Sequence, residues 1–406
     1  MVPDGDDAFV ERLLSLADGS EDETAARLAG EDPDRTAATV LAEVVSRTKL
    51  FDGPAEAAVV QFDLRVGDTR LGYLVSLAEG GGKVEQGWLD DPWVLIRQDL
   101  ADLVRAVFGP AGARHGSTRE VLLKDEPGPA SWTIDDPWTA QREAATRTAY
   151  QIVRACSGYS GDLDGLAVRF GSDKWGGHWY TPHYQRHFGP LRDQRLKILE
   201  IGIGGYHLPD AGGASLAMWK HYFRRGLVYG LDIFDKSGLA EPRLRPVKGS
   251  QSDAAFLDSL AREIGPLDIV VDDGSHLSSD ILGSFTALFP HLRPGGIYVI
   301  EDLQTSYWPG WEGDSDELNN PATAMGFVKT LVDGLNHAER VHAEPYEPSA
   351  TDRTITGIHL YHNIAFIEKG RNTEQAAPSW ISRTTNPAQT WATMASFWEA
   401  HQQPDA

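Results

Sequence analysis

Hydrophobic positions along the chain change period twice, and each change marks a different kind of element. Phe9, Leu13 and Leu16 recur at helical spacing and predict one short helix. Val40, Leu41, Val44 and Val45 predict a second that starts near Asp34. The period then falls to two. Val60, Phe62 and Leu64 alternate with Gln61 and Asp63, and Leu71, Tyr73, Val75 and Leu77 alternate after the turn signal Gly67-Asp68. Val84 and Trp88 flank a further short strand, and Trp93-Val94-Leu95-Ile96 leads into a helix that runs to Phe108. Two helices, a small, mostly antiparallel sheet and a closing helix predict a self-contained α+β unit.

Lys124-Asp125-Glu126-Pro127-Gly128-Pro129 interrupts both periods and reads as a linker, followed by a helical stretch from about Thr139 to Cys156. From Lys197 the pattern changes again. Lys197 to Ile201, led by Ile198, Leu199 and Ile201, is a short, mainly apolar run and reads as a strand buried on both faces. Helices are expected at Ser215–Phe223, Asp253–Ile264, Ser278–Phe289 and Ala322–Leu335. Strands are expected at Leu227–Leu231, around Val247, and at Leu267–Val271 and Gly296–Ile300. Two β-rich runs, Ile355–Tyr361 and Ile364–Glu368, follow as a closing antiparallel hairpin. Alternating β and α elements predict an α/β fold with a doubly wound, Rossmann-like parallel sheet that binds its ligand at the carboxyl ends of the strands. The expected domains are a smaller α+β auxiliary domain (1–130), a linker with a connecting helix (131–160) and a larger α/β domain (161–406).

Composition narrows the class. An ordinary hydrophobic content of 41%, with 12 Trp, 14 Phe and 12 Tyr, excludes a disordered chain. Lys and Arg total 37 against 59 Asp and Glu, a formal charge of −22 that repels phosphate backbones and anionic lipid, so neither nucleic acid nor membrane is an expected partner. The first 34 residues carry 11 acidic and two basic groups, read as solvated surface. Cys156, the single thiol, rules out an internal disulfide and a Cys-based zinc site and reads as a small buried hydrophobe. No run reaches the roughly 20 apolar residues of a membrane span. The acidic opening Met1-Val2-Pro3-Asp4-Gly5-Asp6-Asp7 differs from the basic start of a signal peptide, so the expected location is cytoplasmic.

Three strand ends read as a nucleotide site. Glu200-Ile201-Gly202-Ile203-Gly204-Gly205 follows the first strand, with glycines where a backbone must approach a ligand closely. A dinucleotide fingerprint needs a glycine at position 207, which is His207 here. Asp232 ends the next strand, where a carboxylate can accept both ribose hydroxyls of an adenosine. Gly249-Ser250-Gln251-Ser252-Asp253 follows the third, where an adenine edge lies. Together they favour S-adenosylmethionine, with a nicotinamide-dependent oxidoreductase as the alternative. A non-catalytic carrier is the third reading, opposed by the acidic clusters that follow.

Asp272-Asp273-Gly274-Ser275-His276 follows the fourth strand, and Glu301-Asp302 follows the fifth. Clustered carboxylates repel one another unless protonated or bridged by a cation, and oxygen donors without a thiol suit a hard dication, Mg2+ by preference. Successive residues at a strand end point to opposite sides, which assigns Asp273 to the metal with Glu301 and Asp302, and Asp272 to the cofactor side. His276, one helical turn past Asp273, is expected to face the same crevice as a general base. A dication there would acidify a sugar hydroxyl, and chelation by two neighbouring hydroxyls would fix which oxygen faces the methyl donor.

Gly171-Ser172-Asp173-Lys174-Trp175-Gly176-Gly177-His178-Trp179-Tyr180-Thr181, the glycine-rich turn from Glu200, Asp272 to His276 and Glu301-Asp302-Leu303 together resemble one family. It is the metal-dependent sugar O-methyltransferases of macrolide biosynthesis, the mycinamicin VI and demethylmacrocin 2-O-methyltransferase type. The resemblance implies a class I methyltransferase sheet, a Mg2+ site at Asp273, Glu301 and Asp302, and His276 as general base. It also implies S-adenosylmethionine contacts at Ser172, Glu200, Ile201, Gly202, Gly204, Gly205, Tyr206, Ser215, Asp232, Ser250 and Asp272, with Gln251 in the adenine loop. Its substrate would be a glycosylated natural product, and its assembly a homo-tetramer in which the auxiliary domain helps to build a neighbour's active site. Tyr307-Trp308-Pro309-Gly310-Trp311 is open to two readings, a pocket cover or simple loop packing. His178, His183 and His187 read as structural or cofactor-adjacent.

Overall fold

A computed structural model describes residues 6–52, 58–78, 81–112, 117–124, 137–158, 161–341, 346–378, 381, 383 and 386–401. The acidic opening before residue 6 and the linker from Asp125 to Pro129 lie outside the described residues. The chain forms two compact units, Met1–Gly274 and Ser275–Ala406.

The first unit begins with three helices, α1 (Asp6–Leu16), α2 (Glu21–Leu28) and α3 (Pro33–Thr48). Ser20 and Glu23 form a capping box at α2, and Asp32 caps α3 ahead of Pro33. Strands β1 (Val60–Val66), β2 (Thr69–Ala78), β3 (Gly81–Gln86) and β4 (Val94–Asp99), helix α4 (Leu100–Phe108) and strand β5 (Glu120–Leu123) complete the α+β part. Their sheet runs β3-β2-β1-β4-β5, antiparallel except for the parallel pair β1–β4. Val40, Leu41, Val44, Phe62, Leu64 and Val75 are fully buried in its core.

Helices α5 (Pro137–Ala155), α6 (Leu163–Phe170) and α7 (Thr181–Phe188) lead into the α/β part. There β6 (Leu196–Ile201), α8 (Ala214–Tyr222), β7 (Gly226–Asp232), β8 (Leu244–Lys248), α9 (Ala254–Ile264) and β9 (Leu267–Asp272) alternate, with parallel strands ordered β9-β6-β7-β8. Every residue of β9 is buried, as a strand covered on both faces must be. Cys156 is buried beside α5, and burial raises its thiol pKa, in keeping with a structural role.

The second unit contains α10 (Ser278–Leu288), β10 (Leu292–Ile300), α11 (Ala324–Leu335), α12 (Ala350–Thr354), β11 (Ile355–Tyr361), β12 (Ile364–Lys369) and α13 (Pro387–His401). β11 and β12 form the expected antiparallel hairpin, and β12 also pairs antiparallel with β10. Among the described residues, no helix is long and apolar enough to cross a membrane.

The acidic N-terminal run is not only solvated surface. Asp7 is buried and pairs with Arg245 at 2.8 Å, and Asp18 pairs with Arg225 and with Arg195. Deeper in the same unit, α3 contributes a fully buried Glu43, whose Oε1 accepts from Arg47 at 2.8 Å and from Arg243 at 2.6 Å, with Lys220 Nζ 3.8 Å from Oε2. Lys220 also lies 3.1 Å from Glu241, which Lys49 approaches to 2.7 Å. Burial alone would raise Glu43, but Arg243, Lys220 and Arg47 outweigh it and hold the carboxyl well below its ordinary range. Glu43→Gln strips the shared anion from three buried cations, and the expected cost is about 3–5 kcal/mol in urea unfolding. Burial raises Glu241 as well, yet Lys220 and Lys49 hold it down at about 2. A depressed carboxylate stabilises the fold above its ordinary value of 4.5 and loses that contribution as pH falls toward about 2, so acid unfolding should steepen within that window.

Candidate active site

Sharp turns shape the strand ends of the first unit. After β6, Gly202, Gly204 and Gly205 adopt φ of 93°, 74° and 73°, values that L side chains rarely reach. A Cβ on Gly202 would lie 2.0 Å from the Asp273 carbonyl oxygen, and one on Gly205 would lie 2.1 Å from that of Ala211. The turn is therefore a bare-backbone cradle, packed so closely on the carbonyls of Asp273 and Ala211 that only glycine fits at Gly202 and Gly205. Gly202→Ala is expected to cost roughly 1–3 kcal/mol in backbone strain alone and to displace Asp273. Thermal unfolding with and without S-adenosylhomocysteine measures both effects.

The other residues around the cradle divide by exposure. Asp232 ends β7 with Oδ2 accepting from Ile203 N at 3.0 Å and Oδ1 from Phe234 N at 2.9 Å. This fixes the carboxylate while leaving each oxygen a second lone pair. Ser250 shares a 2.8 Å hydrogen bond with Ser252, and Tyr206 is 81% exposed with φ of 48°. Ile201, Ser172, Gln251 and Asp272 are buried, and Gln251 Nε2 donates to Asp272 Oδ1 at 2.7 Å. Glu200 is wholly buried, and its Oε2 accepts from Ser215 Oγ at 2.9 Å. Burial pushes the Glu200 carboxyl up to about 7, with Lys174 opposing the rise and Asp273 adding to it.

Asp273 directly follows β9, and its neighbour Asp272 has a different partner, as alternation along a strand predicts. Asp272 meets Gln251, whereas Asp273 Oδ2 accepts from Lys174 Nζ at 2.8 Å. Lys174 lies within the Gly171 to Thr181 motif, whose sequence does not announce this partner. A contact across 99 residues leaves no local pattern by which to find it.

Within the second unit, the link from Ser275 to Leu277 is not helical, and α10 begins only at Ser278. The expectation that His276 sits one helical turn past Asp273 is thus corrected: His276 adopts φ of 58°, a left-handed conformation. Asp302, just past β10, is left-handed too, with φ of 53°. Non-glycine residues reach this region at a cost of order 1–3 kcal/mol, and such strain concentrates at functional sites. His276 Nε2 lies 3.7 Å from Asp302 Oδ2. Asp302 is held by Thr305, whose N–H and hydroxyl both donate to its carbonyl oxygen, and Leu303 N donates to Asn363 O in the β11–β12 turn. Glu301 is 2% exposed.

Asp273, Glu301 and Asp302 are hard oxygen donors, and the lone thiol, Cys156, is buried beside α5 (Pro137–Ala155). The donor chemistry fits Mg2+ rather than a zinc site of thiolates. Trp308 and Trp311 pack edge to face at 5.4 Å, with 45% and 40% of their surfaces exposed. His178 stacks on Tyr180 at 4.7 Å, and partial burial, with Arg186 nearby, lowers the His183 pKa.

Residues 10–119 match the model of the MycE methyltransferase N-terminal family. The chain is 42% identical to demethylmacrocin O-methyltransferase of Streptomyces fradiae, over 92% of this chain and 94% of that protein. It is 39% identical to mycinamicin VI 2''-O-methyltransferase of Micromonospora griseorubida, over 93% and 95%. Among solved structures, the MycE methyltransferase from the mycinamycin biosynthetic pathway, in complex with Mg and SAH, superposes with a TM-score of 0.83 at 37% identity. That match covers 96% of this chain and 99% of the other. A further MycE structure, which also holds mycinamycin VI, gives 0.81. Likeness at this level spans both units, and the chain belongs to the macrolide-type family of sugar O-methyltransferases.

Proposed function

We infer that this protein is a Mg2+-dependent O-methyltransferase that moves a methyl group from S-adenosylmethionine to a sugar hydroxyl of a glycosylated natural product. The observation that carries the site assignment is the pair of strained, left-handed residues His276 and Asp302, whose side chains lie 3.7 Å apart in a chain of this family. A nicotinamide-dependent oxidoreductase has nothing comparable in its favour, since His207 stands where a dinucleotide fold needs glycine.

Asp273, Glu301 and Asp302 are the proposed ligands of Mg2+, with only Gly274 and Ser275 separating Asp273 from His276 along the chain. When bound, the dication supplies Lewis acidity that makes a sugar hydroxyl easier to deprotonate. His276 takes that proton at Nε2, and Asp302 beside it stabilises the imidazolium that forms. On the cofactor side, Gly202, Gly204 and Gly205 admit S-adenosylmethionine against bare backbone, with Glu200, Ile201 and Tyr206 in the same turn. Asp232 accepts the ribose hydroxyls, Ser250 and Gln251 border the adenine, and Ser172, Ser215 and Asp272 complete the surround. A turn fixed in this way would orient bound S-adenosylmethionine for in-line displacement at its methyl group.

The same reading takes residues 1–130 as an auxiliary domain for oligomerisation and substrate binding, 131–160 as a linker with its connecting helix, and 161–406 as the catalytic domain. The N-terminal family match supports the first assignment. We propose a homo-tetramer as the assembly, and a cytoplasmic location, which is in keeping with the acidic composition and single buried thiol. Incubation with methyl-labelled S-adenosylmethionine, Mg2+ and a panel of deoxysugar glycosides tests the assignment by mass spectrometry. The label is expected on a sugar oxygen; label on the aglycone or on none of the panel counts against it.

A further inference from the structure

Lys174 is wholly buried, although its ammonium carries a charge that burial alone would expel. Its Nζ donates to Asp273 Oδ2 at 2.8 Å and lies 3.4 Å from Glu200 Oε1. The backbone that carries it is pinned. Tyr180 N and Thr181 N both donate to the Lys174 carbonyl oxygen, at 3.1 and 3.3 Å, and His178 N donates to that of Asp173 at 2.7 Å. Trp175 and Trp179 close the loop through a β-bridge and an edge-to-face contact at 4.8 Å. A lysine has a long, flexible stem, yet here both of its ends are fixed, one by the closed loop and the other by two carboxylates.

We propose that Lys174 is a positioning residue for the metal centre, holding Asp273 by Oδ2 so that Oδ1 is the oxygen offered to the cation. This rests on the reading that Asp273 is a metal ligand. A carboxylate held in this way is ordered by the protein's own contacts, which lowers the ordering cost of binding a cation. It also joins Asp273 to the loop that carries Ser172, so one buried ammonium links the metal side of the site to its cofactor side. Groups that orient a metal ligand in this way typically govern metal affinity by 10- to 100-fold.

The sign of the effect separates positioning from simple charge compensation. If Lys174 merely offset negative charge, removing it would also remove a cation that repels Mg2+, and metal would bind more tightly. If it positions Asp273, metal binds more weakly. Full-length wild type, Lys174→Met and Lys174→Arg are compared by Mn2+ titration, following free Mn2+ by electron paramagnetic resonance. S-adenosylhomocysteine affinity is measured by calorimetry on the same metal-free preparations.

Lys174→Met is expected to weaken Mn2+ binding by roughly 10- to 100-fold while S-adenosylhomocysteine affinity changes little. Lys174→Arg keeps the charge in a different shape and is expected to fall in between. Unchanged or tighter Mn2+ binding by Lys174→Met overturns the proposal. Should that variant fail to fold, Lys174→Arg decides, and wild-type Mn2+ affinity there overturns it equally. A wild-type protein that binds no Mn2+ would instead overturn the metal reading on which the proposal rests.

Discussion

Replacing His276 by asparagine is expected to lower turnover by roughly 10²–10⁴-fold while S-adenosylhomocysteine still binds. Asparagine is chosen for a backbone reason. His276 sits at φ of 58°, and asparagine is among the few residues that tolerate this region, so the loop between β9 and α10 keeps its path. The substitution then removes the ring nitrogen proposed to accept the proton and little else. His276→Ala would add backbone strain to the chemical loss, and comparing the two variants separates these contributions. Single-turnover kinetics at saturating S-adenosylmethionine are the appropriate measurement, because product release can hide a slower chemical step. Wild-type turnover by His276→Asn would remove the base assignment.

Neutralising the carboxylates past β10 is expected to have an effect of similar size. Asp302→Asn again preserves a left-handed backbone, here at φ of 53°, and Glu301→Gln keeps the shape of a side chain that is almost wholly buried. On the proposed assignment, each substitution replaces a charged oxygen ligand by a weaker neutral one. The loss expected in turnover at fixed Mg2+ is on the order of 10²–10³-fold, equivalent to several kcal/mol of transition-state charge stabilisation. Raising Mg2+ should recover part of the loss, since a weaker site still fills at higher concentration. The same titration on His276→Asn should show no such recovery, which distinguishes a ligand from a base.

The elements that were legible in the sequence are those whose burial imposes a pattern. β6 and β9 were legible from the apolar residues Ile198, Leu199, Ile201, Ile269, Val270 and Val271, which are buried because both faces are covered, and α3 read correctly because one face carries Val40, Leu41, Val44 and Val45 into the core. β5 was not foreseen, because all four of its residues are exposed and its place is set by pairing with β4. α13 presents no buried residue, so no periodicity reports it. α7 is eight residues long, and its histidines drew attention to chemistry rather than to the helix that Pro182 opens.

Carboxylates at strand ends were legible as positions, with Asp232 closing β7, Asp273 following β9, and Glu301 and Asp302 following β10. Backbone handedness was not. Nothing about a histidine announces φ of 58°, and the helical turn expected between Asp273 and His276 gives way to a non-helical link. Buried pairing was equally silent, because the partners of Glu43 and of Lys174 lie up to 200 residues away in the chain.

Dependence on a divalent cation is the point on which the mechanism stands, and one measurement addresses it directly. Enzyme dialysed exhaustively against a chelator is assayed for methyl transfer to an accepted glycoside, first without added metal and then across a Mg2+ titration. The expected result is no detectable product without metal and saturable recovery with Mg2+, while S-adenosylhomocysteine binding persists throughout. Undiminished methyl transfer by the chelated enzyme would contradict the account.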